Sequence, residues 1–223
     1  MSQILLSFGF FIFSYLLGSI PFSYLITKIF TKKNVFELGW KKSSASNVIK
    51  NIGKLPGILA FLLDVGKGFL VIYLSQKLGL PLFVQVLAGL CAILGHNWSI
   101  FVKGKGGRGL ATLVGAIIGF SPVFLFIIVI PCIIFTFIWT ASIGTILSLL
   151  FGIFLGFAFT KWQAPGFLLL ISLFPIFIKR LSPIKEIKNI NDQKKKRELI
   201  ENRLLFDQDT VPAFRIKFFK NKL

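Results

Sequence analysis

The chain is poor in the residues from which soluble enzymes build polar surfaces and metal centres. Only 15% of its 223 residues are charged, whereas a soluble domain has about 25%. It contains one histidine, His96, and two cysteines, Cys91 and Cys132, which both lie in apolar stretches. These residues lack metal-ligand spacing and suggest no disulfide, so we expect no metal and no other cofactor.

Acidic residues are also scarce, with eight in the whole chain, and this limits the available mechanisms. The polar loops offer no Ser-His-Asp set and no carboxylate pair for nucleophilic or general-base catalysis. The spacing of a nucleotide-binding P-loop is absent as well. If the chain is an enzyme, we therefore expect an already activated donor and catalysis by positioning and charge neutralisation.

Long apolar runs, in contrast, are abundant. Hydrophobic residues make up 55% of the chain, and the mean hydropathy is +0.80. The first run, 4–29, has no charged residue before Lys28. Runs of 18 or more apolar residues are typical of transmembrane helices, and this pattern recurs along the chain. The sequence therefore predicts an all-α polytopic membrane protein, because helices satisfy their own backbone hydrogen bonds in lipid.

The apolar runs also predict where the helices lie. Three helices are expected before residue 95, at 4–30, 55–78 and 81–94, the first broken at 18–21 by a Gly-Ser-Ile-Pro sequence. Two divisions are open for the rest of the apolar region. One has helices at 109–120, 122–140, 142–160 and 165–178, and the other fuses 109–133 into a single helix.

The net charge of +18 is concentrated in three places. Residues 28–54 carry seven lysines and one acid, residues 103–108 carry three bases, and residues 179–223 carry thirteen bases and six acids. Cytoplasmic loops are rich in lysine and arginine, and only the seven-helix division places all three regions on one side. We predict about seven transmembrane helices, with the N-terminus outside and the C-terminus cytoplasmic. Contact with anionic membrane lipids explains the remaining charge, so no nucleic-acid partner is expected.

This pattern divides the chain into a transmembrane domain, 1–180, and a basic cytoplasmic tail, 181–223. Within the tail, the mostly polar stretch 189–202 predicts a surface helix. The stretch 212–220 alternates bases with aromatic residues, as segments that lie on membranes do. A disordered, solvated tail is the alternative to both of these predictions.

Residues 95–112, called loop two below, form a glycine-rich, basic stretch between two apolar runs. Glycines let successive backbone N–H groups turn toward one point, and Lys105 and Arg108 add fixed positive charge. Together with Gly106 and Gly107, these residues predict a site for an anion, most naturally a phosphate. A bent connection between two helices, without a ligand, is the alternative.

A second polar stretch, 31–54, is called loop one below, and the predicted topology places it on the same face as loop two. It contains Ser44, Ser46 and Asn47 next to a pair of lysines. Hydroxyls, an amide and ammonium groups are suited to surround a polyanion. We therefore predict that these three residues contribute to the same phosphate site.

Three further residues could take part in chemistry. Asp64 and Lys67 lie within the apolar run 55–78, where ionisable residues are costly and commonly functional. At positions i and i+3 they could also be a pair that only satisfies itself. His96 is the candidate catalytic residue, with three roles open: a base, a donor to phosphate, or a residue that fixes the loop.

Several motifs occur in a fixed order along residues 4–180. They are Leu17-Gly18-Ser19-Ile20-Pro21-Phe22, Asn47-Val48 with Gly53-Lys54, Asp64-x-x-Lys67-Gly68, and Gly95-His96 followed by Gly106-Gly107-Arg108-Gly109-Leu110-Ala111-Thr112. This order resembles the membrane acyl-phosphate:glycerol-3-phosphate acyltransferase family of bacteria (PlsY type), whose pattern in loop two is Gly-His and then Gly-Gly-Lys-Gly-Val-Ala-Thr. The resemblance implies a seven-helix fold in the bacterial inner membrane with a cytoplasmic active face.

The resemblance also implies a reaction. Members of that family transfer an acyl chain from acyl phosphate to the 1-hydroxyl of glycerol 3-phosphate, which gives lysophosphatidic acid for phospholipid synthesis. Acyl phosphate is a mixed anhydride and is therefore the kind of activated donor that a site without a nucleophile requires. The substrate phosphates would bind at loops one and two, and the acyl tail would lie between helices.

The chain departs from the family pattern in three places. Loop one has Lys41-Lys42-Ser43-Ser44 where the family has glycine-rich sequence, and Phe36 stands where an arginine is expected. Arg108 replaces the loop-two lysine, and the His-Arg-x-Asn run after the last helix is replaced by 179–183. Two alternatives to the acyltransferase are therefore open: a homologue that binds a phosphorylated lipid or metabolite without turnover, and an anion transporter.

Overall fold

The computed structural model of the protein describes residues 3–209, which form helices and connecting turns and no strand. The helices are α1 (Gln3–Ser19), α2 (Phe22–Thr31), α3 (Ala45–Asn51), α4 (Lys54–Lys77), α5 (Leu82–Asn97), α6 (Leu110–Phe120), α7 (Pro122–Ile138), α8 (Ala141–Ala158), α9 (Gln163–Leu181), α10 (Ile184–Lys188) and α11 (Gln193–Glu201). A π-helical turn, Asn202–Phe206, follows α11.

Proline-containing breaks divide the apolar runs. The predicted break in the first run is confirmed, since α1 ends at Ser19 and α2 begins at Phe22, after Pro21. Ser121 separates α6 from α7, and its hydroxyl accepts a hydrogen bond from the Phe124 amide while Pro122 occupies the first turn. Proline favours this position because its missing N–H would be unpaired there anyway. The alternative with one helix over 109–133 is therefore wrong.

The helices are long and apolar enough for a membrane protein that crosses the bilayer several times. Five segments of the described chain could span it: Gln3–Thr31, Lys54–Lys77, Leu82–Val102, Ala141–Ala158 and Thr160–Leu181. Helices α6 and α7 are apolar but shorter, at 11 and 17 residues. Large apolar side chains cover the outside, with Phe126 76% and Phe137 86% exposed. Such a surface fits lipid and does not fit water.

Small residues bring the central helices into close contact. Helix α4 packs against α6, and α1 packs against α5. Gly68 of α4 faces the Thr112 backbone so closely that a Cβ there would collide with it, and Gly115 of α6 approaches Val65 in the same way. Membrane helices associate through such small residues because lipid offers no hydrophobic driving force between them. The contact places the polar residues of α4 directly beside loop two.

We expect Gly68→Ala to destabilise the bundle strongly and Gly66→Ala, two residues away on α4, to leave it intact. The added methyl group would meet the Thr112 carbonyl at position 68 but nothing within 4 Å at position 66. Overpacking of this kind costs about 3 kcal/mol, or roughly 6–12 °C in thermal midpoint for a chain of this size. Thermal unfolding of the two variants in detergent micelles measures the difference. Equal midpoints would contradict the close contact.

The tail continues beyond the bundle. The predicted surface helix at 189–202 is confirmed as α11, which is exposed and capped by the Asp192 carboxylate. The stretch 212–220 lies outside the described residues.

Candidate active site

A buried polar cluster of Asp64, Lys67 and His96 lies at the centre of the helix contacts. The Lys67 ammonium is 2.8 Å from Asp64 Oδ1 and 2.9 Å from His96 Nδ1. It also donates to the backbone carbonyls of Gly18, at 2.8 Å, and Ile20, at 3.2 Å. Both carbonyls lie where the proline interrupts the first segment, and the Ile20 carbonyl also accepts from the Phe22 N–H at 3.1 Å. Lys67 therefore ties α1, α4 and α5 together at one point.

His96 contacts both charged residues of the cluster through one ring nitrogen. Its Nδ1 lies 2.9 Å from the Lys67 ammonium and 3.4 Å from Asp64 Oδ1. Nε2 faces Gly107 of loop two, where a Cβ would collide with it. The imidazole is 8% exposed. His96 is thereby placed to support the Gly107 backbone of loop two.

The two central glycines of loop two allow its backbone to lie directly on α5 and loop one. The Gly107 N–H donates to the His96 carbonyl at 3.2 Å, and the Gly106 carbonyl accepts from the Ser43 N–H at 3.3 Å. A Cβ at Gly106 would collide with the carbonyls of His96 and Asn97. Loop two then enters α6 through Gly109, whose φ of 75° suits glycine. These contacts join the two loops into one surface.

Loop one is organised around the side chain of Asn47. Its amide nitrogen donates to the carbonyls of Val35, Leu38 and Lys42, and its amide oxygen accepts from the Trp40 N–H. The side chain is buried, so its polar atoms are already used by loop one itself. Asn47 thus shapes the loop and presents no free group to a ligand.

The two loop-one serines predicted to bind phosphate lie at the beginning of α3. Ser44 caps this helix, since its Oγ accepts from the Asn47 N–H at 3.3 Å, and the two hydroxyl oxygens are 3.4 Å apart. Ser46 is exposed, whereas Ser44 is half-buried. Of the three predicted loop-one residues, Ser46 is the one whose hydroxyl reaches a cavity.

The first cavity, of about 570 Å³, lies between loop one, loop two and the tail. Its cationic lining residues are Lys41, Lys42, Lys105, Arg108, Lys179 and Arg203, and its acidic ones are Glu186, Asp207 and Asp209. Lys105 Nζ lies 5.4 Å from the centre of the Phe36 ring. Phe36 is the residue that stands where the family pattern has an arginine. The excess of cations makes this cavity suitable for a phosphate.

The second cavity, of about 430 Å³, adjoins the first and shares Arg108 and Trp40 with it. It is lined by Arg180 and by hydroxyl groups near the beginning of α8, namely Ser142 and Thr145. Among the described residues, Arg108 Nε, Arg180 Nε and Ser142 Oγ are buried polar atoms without a protein hydrogen bond. Buried donors of this kind need a partner, so this cavity also suits a polar ligand.

The predicted residues thus fall into two groups. Lys105, Gly106, Arg108 and Ser46 line the cavities. Ser44, Asn47, Gly107 and the buried polar cluster support the walls and line neither cavity. The sequence interpretation missed the roles of Lys179, Arg180, Arg203 and Asp207. The replaced motif at 179–183 was a signal in the sequence for Lys179 and Arg180. No pattern in the sequence indicated Arg203 or Asp207.

Burial changes the acidity of the cavity groups. Burial, together with the neighbouring Arg108 guanidinium, lowers the pKa of Lys42 to about 8. Burial also lowers the pKa of Arg108 and raises the pKa of the Asp207 carboxyl, with which Arg108 forms an ion pair. The positive charge of the first cavity therefore decreases as the pH rises through 8.

Comparison with known proteins agrees with this architecture. The model of the glycerol-3-phosphate acyltransferase family matches residues 8–191. Glycerol-3-phosphate acyltransferase 4 of Dehalococcoides mccartyi (strain CBDB1) is 34% identical over 202 residues, which cover 87% of this chain and 86% of that protein. Glycerol-3-phosphate acyltransferase 2 of the same strain is 35% identical over 79% of this chain and 84% of its own length.

Two crystal structures of PlsY, an integral membrane glycerol 3-phosphate acyltransferase, are similar in fold. The glycerol 3-phosphate form superimposes with a TM-score of 0.74 at 25% identity, covering 95% of this chain and 98% of PlsY. The lysophosphatidic acid form gives 0.69 at 27% identity, covering 82% and 91%. The family match extends over residues 8–191, which include both loops. This protein therefore belongs to the glycerol-3-phosphate acyltransferase family of integral membrane enzymes.

Proposed function

We propose that this protein transfers an acyl chain from acyl phosphate to the 1-hydroxyl of glycerol 3-phosphate. The hydroxyl oxygen attacks the acyl carbon, an ester bond forms, and the bond from the acyl carbon to the phosphate oxygen breaks. The products are lysophosphatidic acid and inorganic phosphate, which takes up the hydroxyl proton. The observation that carries this proposal is the pair of adjoining cavities, which meet at Arg108 in a member of this family.

Two cavities suit a reaction in which both substrates carry a phosphate. Lys42, Lys105 and Arg108 supply positive charge to the first cavity, and Arg108 and Arg180 supply it to the second. Because the donor is already activated, neutralising and aligning two anions is the main task of the protein. This fits a site in which the described residues provide no nucleophile next to a base.

The roles of the predicted residues follow from their positions. We assign phosphate binding to Lys105, Gly106, Arg108 and Ser46, and positioning to Ser44, Asn47 and Gly107. His96 is assigned to holding loop two, while Asp64 and Lys67 fix the imidazole. The buried polar cluster is then both a structural junction and a support for the site.

We also propose a topology. Counting α1 and α2 as one crossing, helices α4, α5, α6, α7, α8 and α9 give seven. The basic groups of loops one and two and of residues 179–203 surround the same cavities, which supports one common side for them. The positive-inside rule then places that side in the cytoplasm of a bacterial inner membrane, the N-terminus outside. The division into a transmembrane domain, 1–180, and a cytoplasmic tail, 181–223, follows from it.

The two other functions considered are less well supported. Binding without turnover is suggested only by the altered motifs, whereas the relatives over most of the chain are named as acyltransferases. A transporter would place its polar site near the middle of the membrane, but these cavities lie among the loops at one end of the helices.

Steady-state kinetics of Lys105→Ala test the assignment of the first cavity. We expect the KM for glycerol 3-phosphate to rise about tenfold, because one charge-assisted hydrogen bond contributes about 1.5 kcal/mol or more. Lys103→Ala is the matched control, since Lys103 is an exposed cation of the same loop that lines neither cavity. Equal KM values for the two variants would overturn the assignment.

The lowered pKa of Lys42 predicts a pH effect on substrate affinity. The protonated form attracts phosphate, so affinity is greatest below pH 8 and falls as the ammonium loses its proton above it. We expect the KM for glycerol 3-phosphate to rise about fivefold between pH 7 and pH 9, the equivalent of about 1 kcal/mol. In Lys42→Met this rise should become smaller, because Lys179 is a second amine in the lining of the same cavity, whereas Lys103→Met should retain the rise in full. A rise that is undiminished in Lys42→Met would assign the titration to another group.

A further inference from the structure

The chain continues past the family match, and this continuation returns to the site. The match ends at residue 191, and α11 then leads into residues 202–209, called the strap below. Arg203 holds the strap in place by donating to the carbonyls of Leu181 and Pro183, each at 3.1 Å. Arg180 donates to the Leu204 carbonyl at 2.7 Å. The strap is therefore fixed against the end of α9, beside both cavities.

One strap residue, Asp207, enters the phosphate site. Its carboxylate forms an ion pair with Arg108, and its backbone carbonyl accepts from Arg108 Nη2 at 3.2 Å. The Lys42 ammonium lies 3.9 Å from the other carboxylate oxygen. The Asp207 side chain is only 9% exposed, and the residue lines both cavities. One carboxylate oxygen and the backbone carbonyl of Asp207 thus occupy the two terminal nitrogens of the guanidinium, the groups with which an arginine binds two oxygens of a phosphate.

The other acids of the first cavity do not reach loop two. Glu186 and Asp209 both form ion pairs with Arg203. Among the acidic residues of 3–209, Asp207 is the one that forms ion pairs with a cation of loop one, Lys42, and a cation of loop two, Arg108. It therefore competes with any anion that approaches Arg108.

We propose that Asp207 is a displaceable counter-ion that holds Arg108 until a substrate phosphate replaces it. The proposal rests on the function given above and adds a determinant of substrate affinity that lies outside the family match. While the strap is closed, its carboxylate keeps the buried guanidinium paired, since an unpaired buried charge is costly. A phosphate binds to Arg108 only after it displaces this carboxylate. Molecules in which the strap is closed do not bind, so the apparent affinity for phosphate is lower than that of the open site.

The test is the binding of inorganic phosphate and of glycerol 3-phosphate to the purified full chain, measured by calorimetry in detergent. Asp207→Asn keeps the size of the side chain and removes its charge. We expect it to bind inorganic phosphate about tenfold more tightly than the wild type. Glu201→Gln is the control, because it removes one negative charge from the same tail. Glu201 forms an exposed ion pair with Arg197 on α11 and lies outside both cavities.

Unchanged or weaker phosphate binding in Asp207→Asn, with Glu201→Gln like the wild type, would overturn the proposal. Weaker binding would mean that Asp207 orients Arg108 for the substrate. Asp207→Ser serves as a second variant, and thermal unfolding shows that each variant is folded. Phosphate binding is measured without turnover, so this test of the strap does not depend on the acyltransferase activity. A wild-type protein that forms no lysophosphatidic acid would overturn the proposed function, and the binding data would still test the role of Asp207.

Discussion

Arg108→Ala is expected to lower kcat/KM about 100-fold to 1,000-fold, the loss found when one donor to a developing anion is removed. Arg108 is the cation that lines both cavities, so its loss affects both substrate phosphates. Its Nε is a buried donor without a protein hydrogen bond. The measurement is the initial rate of lysophosphatidic acid formation over a range of both substrates.

Two further variants separate the charge of Arg108 from its geometry and from folding. Arg108→Lys keeps the charge but loses the bidentate fork, so we expect an intermediate rate. Arg108→Ala combined with Asp207→Ala removes both partners of the ion pair and avoids leaving a buried carboxylate unpaired. If the double variant is folded and has the kcat/KM of the wild type, Arg108 has no role in substrate binding.

Asp64→Ala is expected to reduce the free energy of unfolding by about 3–5 kcal/mol, the cost of breaking a buried ion pair from one side. The change leaves the Lys67 ammonium, which is 3% exposed, without its carboxylate. It also weakens the junction that holds the carbonyls of Gly18 and Ile20. Thermal unfolding in detergent measures the loss of stability.

The double variant Asp64→Leu with Lys67→Met is the control for this prediction. It replaces both charges by apolar groups of similar size, which is commonly neutral for buried pairs. We expect the double variant to regain part of the stability lost in Asp64→Ala, because no buried charge is left unpaired but the Gly18 carbonyl loses its donor. Its activity should remain low, because Lys67 no longer fixes His96 and α1. Full activity of a folded double variant would contradict the assignment of the buried polar cluster as a support for the site.

Local chemistry explains which parts of the structure the sequence predicts. The helix breaks are visible because Pro21 and Pro122 cannot continue a helix in the preceding residues. The meeting of loops one and two follows from the number of helices between them and the positive-inside rule. Loop two is recognisable because glycines beside Lys105 and Arg108 form a pattern that is typical of anion-binding turns.

Other parts depend on tertiary contacts that no local pattern specifies. Asn47 is a polar residue beside lysines in the sequence, and only the folded loop shows that its amide is occupied by backbone carbonyls. Asp207 is 99 residues from Arg108 along the chain, and nothing near it indicates a partner. The link from Lys67 to the end of α1 likewise appears only once the helices are packed.

The central claim is that the acyltransferase chemistry is retained despite the changed loop one and the replaced motif after α9. Its most direct test is the incubation of purified wild-type protein with palmitoyl phosphate and labelled glycerol 3-phosphate. A known PlsY enzyme serves as the positive control. We predict labelled lysophosphatidic acid and one inorganic phosphate per ester, with no product when either substrate is omitted. No product from folded protein, while the control enzyme is active, would contradict the account.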